Sequence, residues 1–169
     1  VDKRQRDLSS PVGLTGTVLG AGGCIIHMPR FDAEAALAAI ETYHVTQAQF
    51  VPTHFVRMLR LAPEIRERYD LSSLTHVIHA AAPCAPDIKR AMIDWLGPIV
   101  FEYYSGSERC GLTATDSAEW LAHPGSVGRS MGGAIHILDL DSGDELPVGD
   151  IGLVYFENPV AFTYHGDPD

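Results

Sequence analysis

What this sequence has little of narrows its function first. Its 169 residues include only three cysteines, Cys24, Cys84 and Cys110. That odd number, with no C-x-x-C spacing, argues against a disulfide framework and a cysteine zinc site. Basic side chains are scarce: 12 Lys and Arg stand against 22 Asp and Glu, a formal charge of -10. Phosphate backbones are bound through surplus Lys and Arg, so nucleic acid is excluded as the main partner. One small polyphosphate, which needs only a local site and a metal, is not excluded. No apolar run approaches the roughly 20 residues that span a bilayer and no signal peptide opens the chain. The expectation is a cytoplasmic protein without an integral membrane segment. The chain starts with Val and stops at "YHGDPD", which reads as a piece of a longer protein.

What is present is ordinary globular material: 46% hydrophobic and 20% charged residues, enough for a real core and no extended disorder. A homo-oligomer is compatible with this composition. "GGCIIHM" (22–28) reads as a buried strand, and "FDAEAALAAIETYHV" then changes to a helical period, with Asp32 as cap and Leu37 and Ile40 on one face. "TQAQFV" (46–51) is strand-like. Pro52 and Thr53 open a helix through "HFVRMLRLA", with Phe55, Met58, Leu59 and Ala62 on its apolar side. The alternation repeats with strand 75–80, helix 85–97 stopped by Gly97, and strand 98–103. Such alternation predicts an α/β fold, a mostly parallel sheet flanked by helices. Beyond residue 130 the text turns to two short strands around the acidic stretch "DSGDEL", a small β subregion. The expected division is therefore 1–130 and 131–169.

Ligands of open parallel sheets gather outside the carboxyl ends of the strands. Three such ends carry unusual residues: "VPTH" (51–54), "HAAAPC" (79–84) and "EYYSGSERCG" (102–111). The alanines allow a flat ligand to lie against the backbone, although they suit tight strand-to-helix packing equally. In the third stretch a tyrosine ring can stack on a base, Ser107 can bond a phosphate oxygen, and Glu108 offers a hard oxygen to Mg2+. The same residues read alternatively as a core tyrosine, its cap and a solvated acid.

Taken in order, "VPTHFVRML", "HAAAPC", "YYSGSE", "HPGSVGRSM" and "GDELPVGDIGLVYFENP" resemble the middle of an adenylate-forming enzyme of the acyl-CoA synthetase (fatty-acid CoA ligase) branch, from about Gly22 onward. The resemblance implies an internal fragment of the large N-terminal domain. It also implies activation of a carboxylic acid by ATP to an acyl-adenylate, transfer to coenzyme A, and Mg2+ as cofactor. In the family's Tyr-Gly-x-Thr-Glu element the roles fall here to Tyr104 on adenine, Ser107 on phosphate and Glu108 on the metal, with Ser107 and Glu108 the implied catalytic pair. Ser105 replaces the usual glycine and Ser107 the usual threonine. Tyr103, Ser105 and Gly106 complete that nucleotide segment. Ala80, Ala81, Ala82 and Pro83 stand for the loop under adenine, with alanine replacing a common glycine. Thr53, His54, Phe55, His79 and Cys84 are the implied acyl-side residues.

The family's upstream phosphate loop with its lysine, its later ribose aspartate and its C-terminal lysine have no counterpart in this stretch, so it is expected to hold half a site and to be inactive alone. "DLDSGDEL" lacks the glycine and glutamate of a calcium loop and reads as an acidic turn. A serine hydrolase fails for want of G-x-S-x-G around Ser107 or Ser126. A non-catalytic nucleotide- or protein-binding module is the remaining alternative.

Overall fold

The computed structural model describes residues 6–8, 14–106, 111–157 and 166. Seven strands form one sheet: β1 (Arg6–Leu8), β2 (Cys24–Ile25), β3 (Gln47–Phe50), β4 (His76–His79), β5 (Val100–Ser105), β6 (Leu112–Thr115) and β7 (Arg129–Ser130), in the order β2-β1-β3-β4-β5-β6-β7. The first five run parallel, and β6 and β7 add antiparallel pairs at one edge. The helices are α1 (Leu14–Gly20), α2 (Ala33–Tyr43), α3 (Pro52–Leu59), α4 (Pro63–Arg66), α5 (Pro86–Leu96) and α6 (Ser117–Ala122). A separate antiparallel ribbon of β8 (Ile135–Leu138) and β9 (Leu153–Phe156) follows. This is the α/β architecture with a small β subregion that the alternation of periods predicts.

Local chemistry sets the element ends. Asp32 Oδ1 accepts from Ala35 N at 2.9 Å and caps α2, satisfying one of the donors a helix start leaves open. α5 begins on Pro86, whose missing N–H costs nothing there, and ends at Gly97 with φ 84°. Inward residues alternate along the strands, as a pleat requires. Ala48 and Phe50, Val77 and His79, and Val100 and Glu102 are buried on one face. Against that face pack Leu37 and Ile40 of α2, Phe55 and Met58 of α3, Met92 and Ile93 of α5, and Trp120 of α6.

Two local expectations fail, and two stretches form elements that the sequence pattern does not indicate. The strand expected over 22–28 pairs only at Cys24 and Ile25. Ala62 is exposed, because α3 ends at Leu59 and Ala62 instead precedes Pro63 at the start of α4; a residue before proline is pushed out of helical backbone. The basic opening stretch supplies β1, wedged between β2 and β3. The region after Gly111, to which the sequence pattern assigns no element, forms β6, α6 and β7. "LTAT" has little hydrophobic contrast, so its strand comes from pairing with β5 rather than from periodicity.

Candidate functional site

At the carboxyl end of β4 and β5 lies a cavity of about 530 Å³. Ala81, Ala82 and Pro83, from the loop after β4, form one side. Glu102, Tyr103, Tyr104 and Ser105 of β5 form the base, and Thr113, Val127 and Gly128 continue it. Ile135 and Ile137 of β8 with Val154 and Phe156 of β9 close it from above. The walls are mainly apolar, and Glu102 is the one charged residue among those lining it, the pattern expected of a small-molecule site.

Backbone geometry makes this shape. Ala81 has φ 73°, the left-handed region that side chains other than glycine seldom adopt. The chain can then turn from β4 toward α5 while keeping the alanine surface toward the cavity. Tyr104 is 45% exposed, so its ring is available at the mouth; it stacks on Phe156 with centroids 6.2 Å apart and planes at 25°. Phe156 comes this close because Gly111 has no side chain: a Cβ there would collide with the Phe156 ring. The Ser105 hydroxyl donates to Gly111 O at 2.7 Å and approaches Gly106 O at 3.2 Å. The chain therefore leaves and re-enters the described fold at one point on the cavity rim.

Behind the cavity wall sits a buried polar cluster. Lys89 Nζ of α5 is 2.5 Å from Glu102 Oε2 and 4.9 Å from the Trp120 ring centre. His79 Nε2 is 3.5 Å from the same oxygen. His79 is fully buried, neither ring nitrogen has a hydrogen-bond partner among the described residues, and the Phe55 ring meets it edge-on at 5.2 Å. Burial, with the Lys89 charge second, pulls His79 down to about 3, so it is neutral. Burial likewise lowers Lys89, while its bond to Glu102 works the other way.

The residues singled out from sequence fall into three groups. Ala81, Ala82, Pro83, Tyr103, Tyr104 and Ser105 all line the cavity, with Ala80 buried beside it and Gly106 at its rim. The acyl-side group does not line it: Thr53 is exposed, Phe55 belongs to the core and His79 lies one layer behind the wall. His54 is half-buried and stacked on Phe31 at 3.8 Å. Cys84 is half-buried, and burial followed by the Glu102 charge pushes its thiol up to about 11, which makes it a poor nucleophile. Ser107 and Glu108 lie outside the described residues. Among the described residues no group of three His, Cys, Asp or Glu could hold a metal.

Sequence reasoning passed over Glu102 and Lys89, yet a signal was there. Lys89 occupies the apolar stripe of α5 with Met92 and Ile93, and Glu102 the buried phase of β5 after Val100. A charge in phase with a buried face signals that it needs a partner, while only the fold decides which one.

Comparison with known proteins agrees with this geometry. A family profile described as AMP-binding enzyme matches residues 12–165. The chain belongs to that family. The chain is 31% identical over 161 residues to 4-coumarate–CoA ligase-like 6 of Oryza sativa subsp. japonica, covering 93% of this chain and 27% of that protein. Its fold matches the amide bond synthetase McbA of Marinactinospora thermotolerans, with TM-score 0.73, 27% identity, and coverage of 89% of this chain and 32% of that one. It also matches ATP-bound MatB of Rhodopseudomonas palustris, with TM-score 0.68, 25% identity, and coverage of 89% and 31%. The chain thus spans about a third or less of each of these three proteins.

Proposed function

We propose that this chain carries the nucleotide-side half of a ligase that activates a carboxylic acid, of the fatty-acid class, with ATP and passes the acyl group to the thiol of coenzyme A. The observation that carries the reading is the convergence, in one cavity, of the Ala81–Pro83 loop with the exposed ring of Tyr104. In this reading adenine stacks on Tyr104, because a flat base gains by covering an aromatic face. The short side chains of Ala81 and Ala82 leave room for its other edge. The Ser107 hydroxyl donates to a phosphate oxygen.

Mg2+ is held by Glu108 together with substrate phosphates and water. A lone carboxylate fits that ion, which takes one or two carboxylates and keeps several waters. The segment bearing it joins Gly106 to Gly111, both held at the cavity rim by Ser105. When bound, the cation neutralises charge on the triphosphate. The chain's own groups orient: Tyr104 fixes the base, the Ala81 turn fixes the distance between base and sheet, and Glu102 sets the polarity of the inner wall.

Support for the ligase class comes from the family match and from relatives named as CoA ligases. No described helix is long and apolar enough to cross a membrane; we place the protein in the cytoplasm and read the isolated 169-residue chain as inactive on its own. The division at residue 130 follows the change from the seven-stranded sheet to the ribbon.

The test is calorimetric titration of the chain with ATP and Mg2+. Saturable binding is expected, weakened by Tyr104→Ala and made independent of Mg2+ by Glu108→Ala. Unchanged binding in both variants would overturn the reading in favour of a non-catalytic module. With coenzyme A and a panel of carboxylic acids, the full-length protein decides the acid class.

A further inference from the structure

The buried cluster behind the cavity has a geometry of which the nucleotide reading uses only the polarity of Glu102. A lysine with no exposed surface and a glutamate with 8% of its side chain exposed meet at 2.5 Å. Burying such a pair costs several kcal/mol per ion in desolvation, and an apolar pair of equal volume would hold the core as well or better. Stability alone therefore does not account for it. The two carboxylate oxygens are also unequal. Lys89 takes Oε2, and His79 Nε2 stands 3.5 Å from that same oxygen, while Oε1 has no hydrogen-bond partner among the described residues. Among the described residues that line the cavity, the one that carries it is the only charged one.

We propose that Lys89 is a positioning residue: its buried ammonium holds Glu102 as an aimed anion in the cavity wall, where the free oxygen accepts a hydrogen bond from an N–H or O–H group of the bound ligand. Lys89 is itself fixed by its place on α5, between the sheet and the Trp120 face, so the carboxylate has little freedom to turn away. His79 contributes by bulk, since its neutral ring packs against Phe55 and blocks the other direction. Among the described residues, the charged or titratable groups facing Glu102 are Lys89 from α5, His79 from β4 and Cys84 from the loop after it. Across the hollow on the far side lie His76, Asp116 and Glu119, the last occupied by Arg129.

The ligand-directed part rests on the nucleotide reading above, and the experiment separates the two. Two measurements are made on the chain, its Lys89→Met variant, its Glu102→Gln variant and the double variant: ATP titration with Mg2+ between pH 6.5 and 8.5, and carboxyl carbon NMR of labelled glutamate without ligand. Removing the ammonium leaves a buried carboxylate without compensation, which takes up a proton near neutral pH. In Lys89→Met the Glu102 signal is therefore expected to titrate within that range, and ATP binding to weaken about tenfold at its acid end, the scale of one charged hydrogen bond. Lys89→Arg should restore both, and the double variant should show no such pH dependence. If Lys89→Met does not fold, Lys89→Gln, which keeps a donor without the charge, takes its place. ATP affinity unchanged in Glu102→Gln would overturn the ligand-facing role. A Glu102 signal identical in wild type and Lys89→Met would overturn the role of Lys89, whether or not ATP binds. No ATP binding by the wild-type chain would overturn the nucleotide reading and, with it, the role of Glu102 toward the ligand.

Discussion

The Ser117 hydroxyl donates to Val100 O at 2.7 Å and accepts from Val100 N at 3.0 Å, all three groups buried. It does the work of a missing strand residue. β6 pairs with β5 only from Glu102 onward, so the backbone of Val100 on that side would otherwise be buried without a partner. One side chain at the start of α6 thereby anchors the strand that carries Glu102 and Tyr104. Ser117→Ala is expected to cost about 1–3 kcal/mol, the penalty of unsatisfied buried groups, while Ser117→Thr should recover part of it. Urea denaturation measures both.

Ala81 bears backbone strain at the cavity rim. A non-glycine residue at φ 73° costs about 1–2 kcal/mol, partly offset in a glycine variant by roughly 0.5–1 kcal/mol of lost chain entropy. Ala81→Gly should therefore leave stability unchanged or raise it by up to about 1.5 kcal/mol. Ala81→Val, β-branched in the same conformation, should lower the melting temperature and narrow the cavity. Thermal denaturation checks both: Ala81→Gly should melt no lower than the wild type, and Ala81→Val below it.

Gly111 and Phe156 fit only because one of them is small. Gly111→Ala should push the Phe156 ring off its place and destabilise by about 1–3 kcal/mol, as overpacking does. In the Phe156→Ala background the same substitution should cost far less. Near-ultraviolet circular dichroism, sensitive to the Tyr104 environment, should change in Gly111→Ala alone. Additive effects in the two single variants would rule out the contact.

His79 gives the fold an acid limit. It is neutral in the folded protein with its pKa near 3, whereas in the unfolded chain it titrates near 6.5. Between those values the unfolded state binds the extra proton, so stability rises with pH through that window and is fully present above 6.5. Lowering the pH from 7 to 4 should reduce the denaturation midpoint of the wild type, and His79→Leu should flatten that dependence. His54, lowered by burial and then by Arg57, adds a change of the same sign. The decisive quantity is therefore the difference between wild type and variant.

Much of the candidate site was legible from types and spacing. Helical and strand periods alternate clearly from Ala33 to Ser105, which places Ala81–Pro83 and Tyr104 at the ends of neighbouring strands. The acidic turn also read correctly: Asp139 Oδ1 accepts from Asp141 N and Ser142 N, which holds its carboxyl below the usual range. Thr53, His54 and Phe55 were less legible. A position just after a strand does not say whether a side chain turns to the cavity or into the core, and Phe55 turned into the core.

By itself the sequence determined the order of elements, the family resemblance and the cluster of ligand-type residues, because these depend on residue type and near-neighbour spacing. Tertiary structure alone decided three things: that β6 exists, that the β8–β9 ribbon closes the cavity through Phe156, and that Lys89 meets Glu102. Each is a contact between segments that no local pattern links. Such contacts are fixed by which surfaces remain to be buried once the local elements have formed.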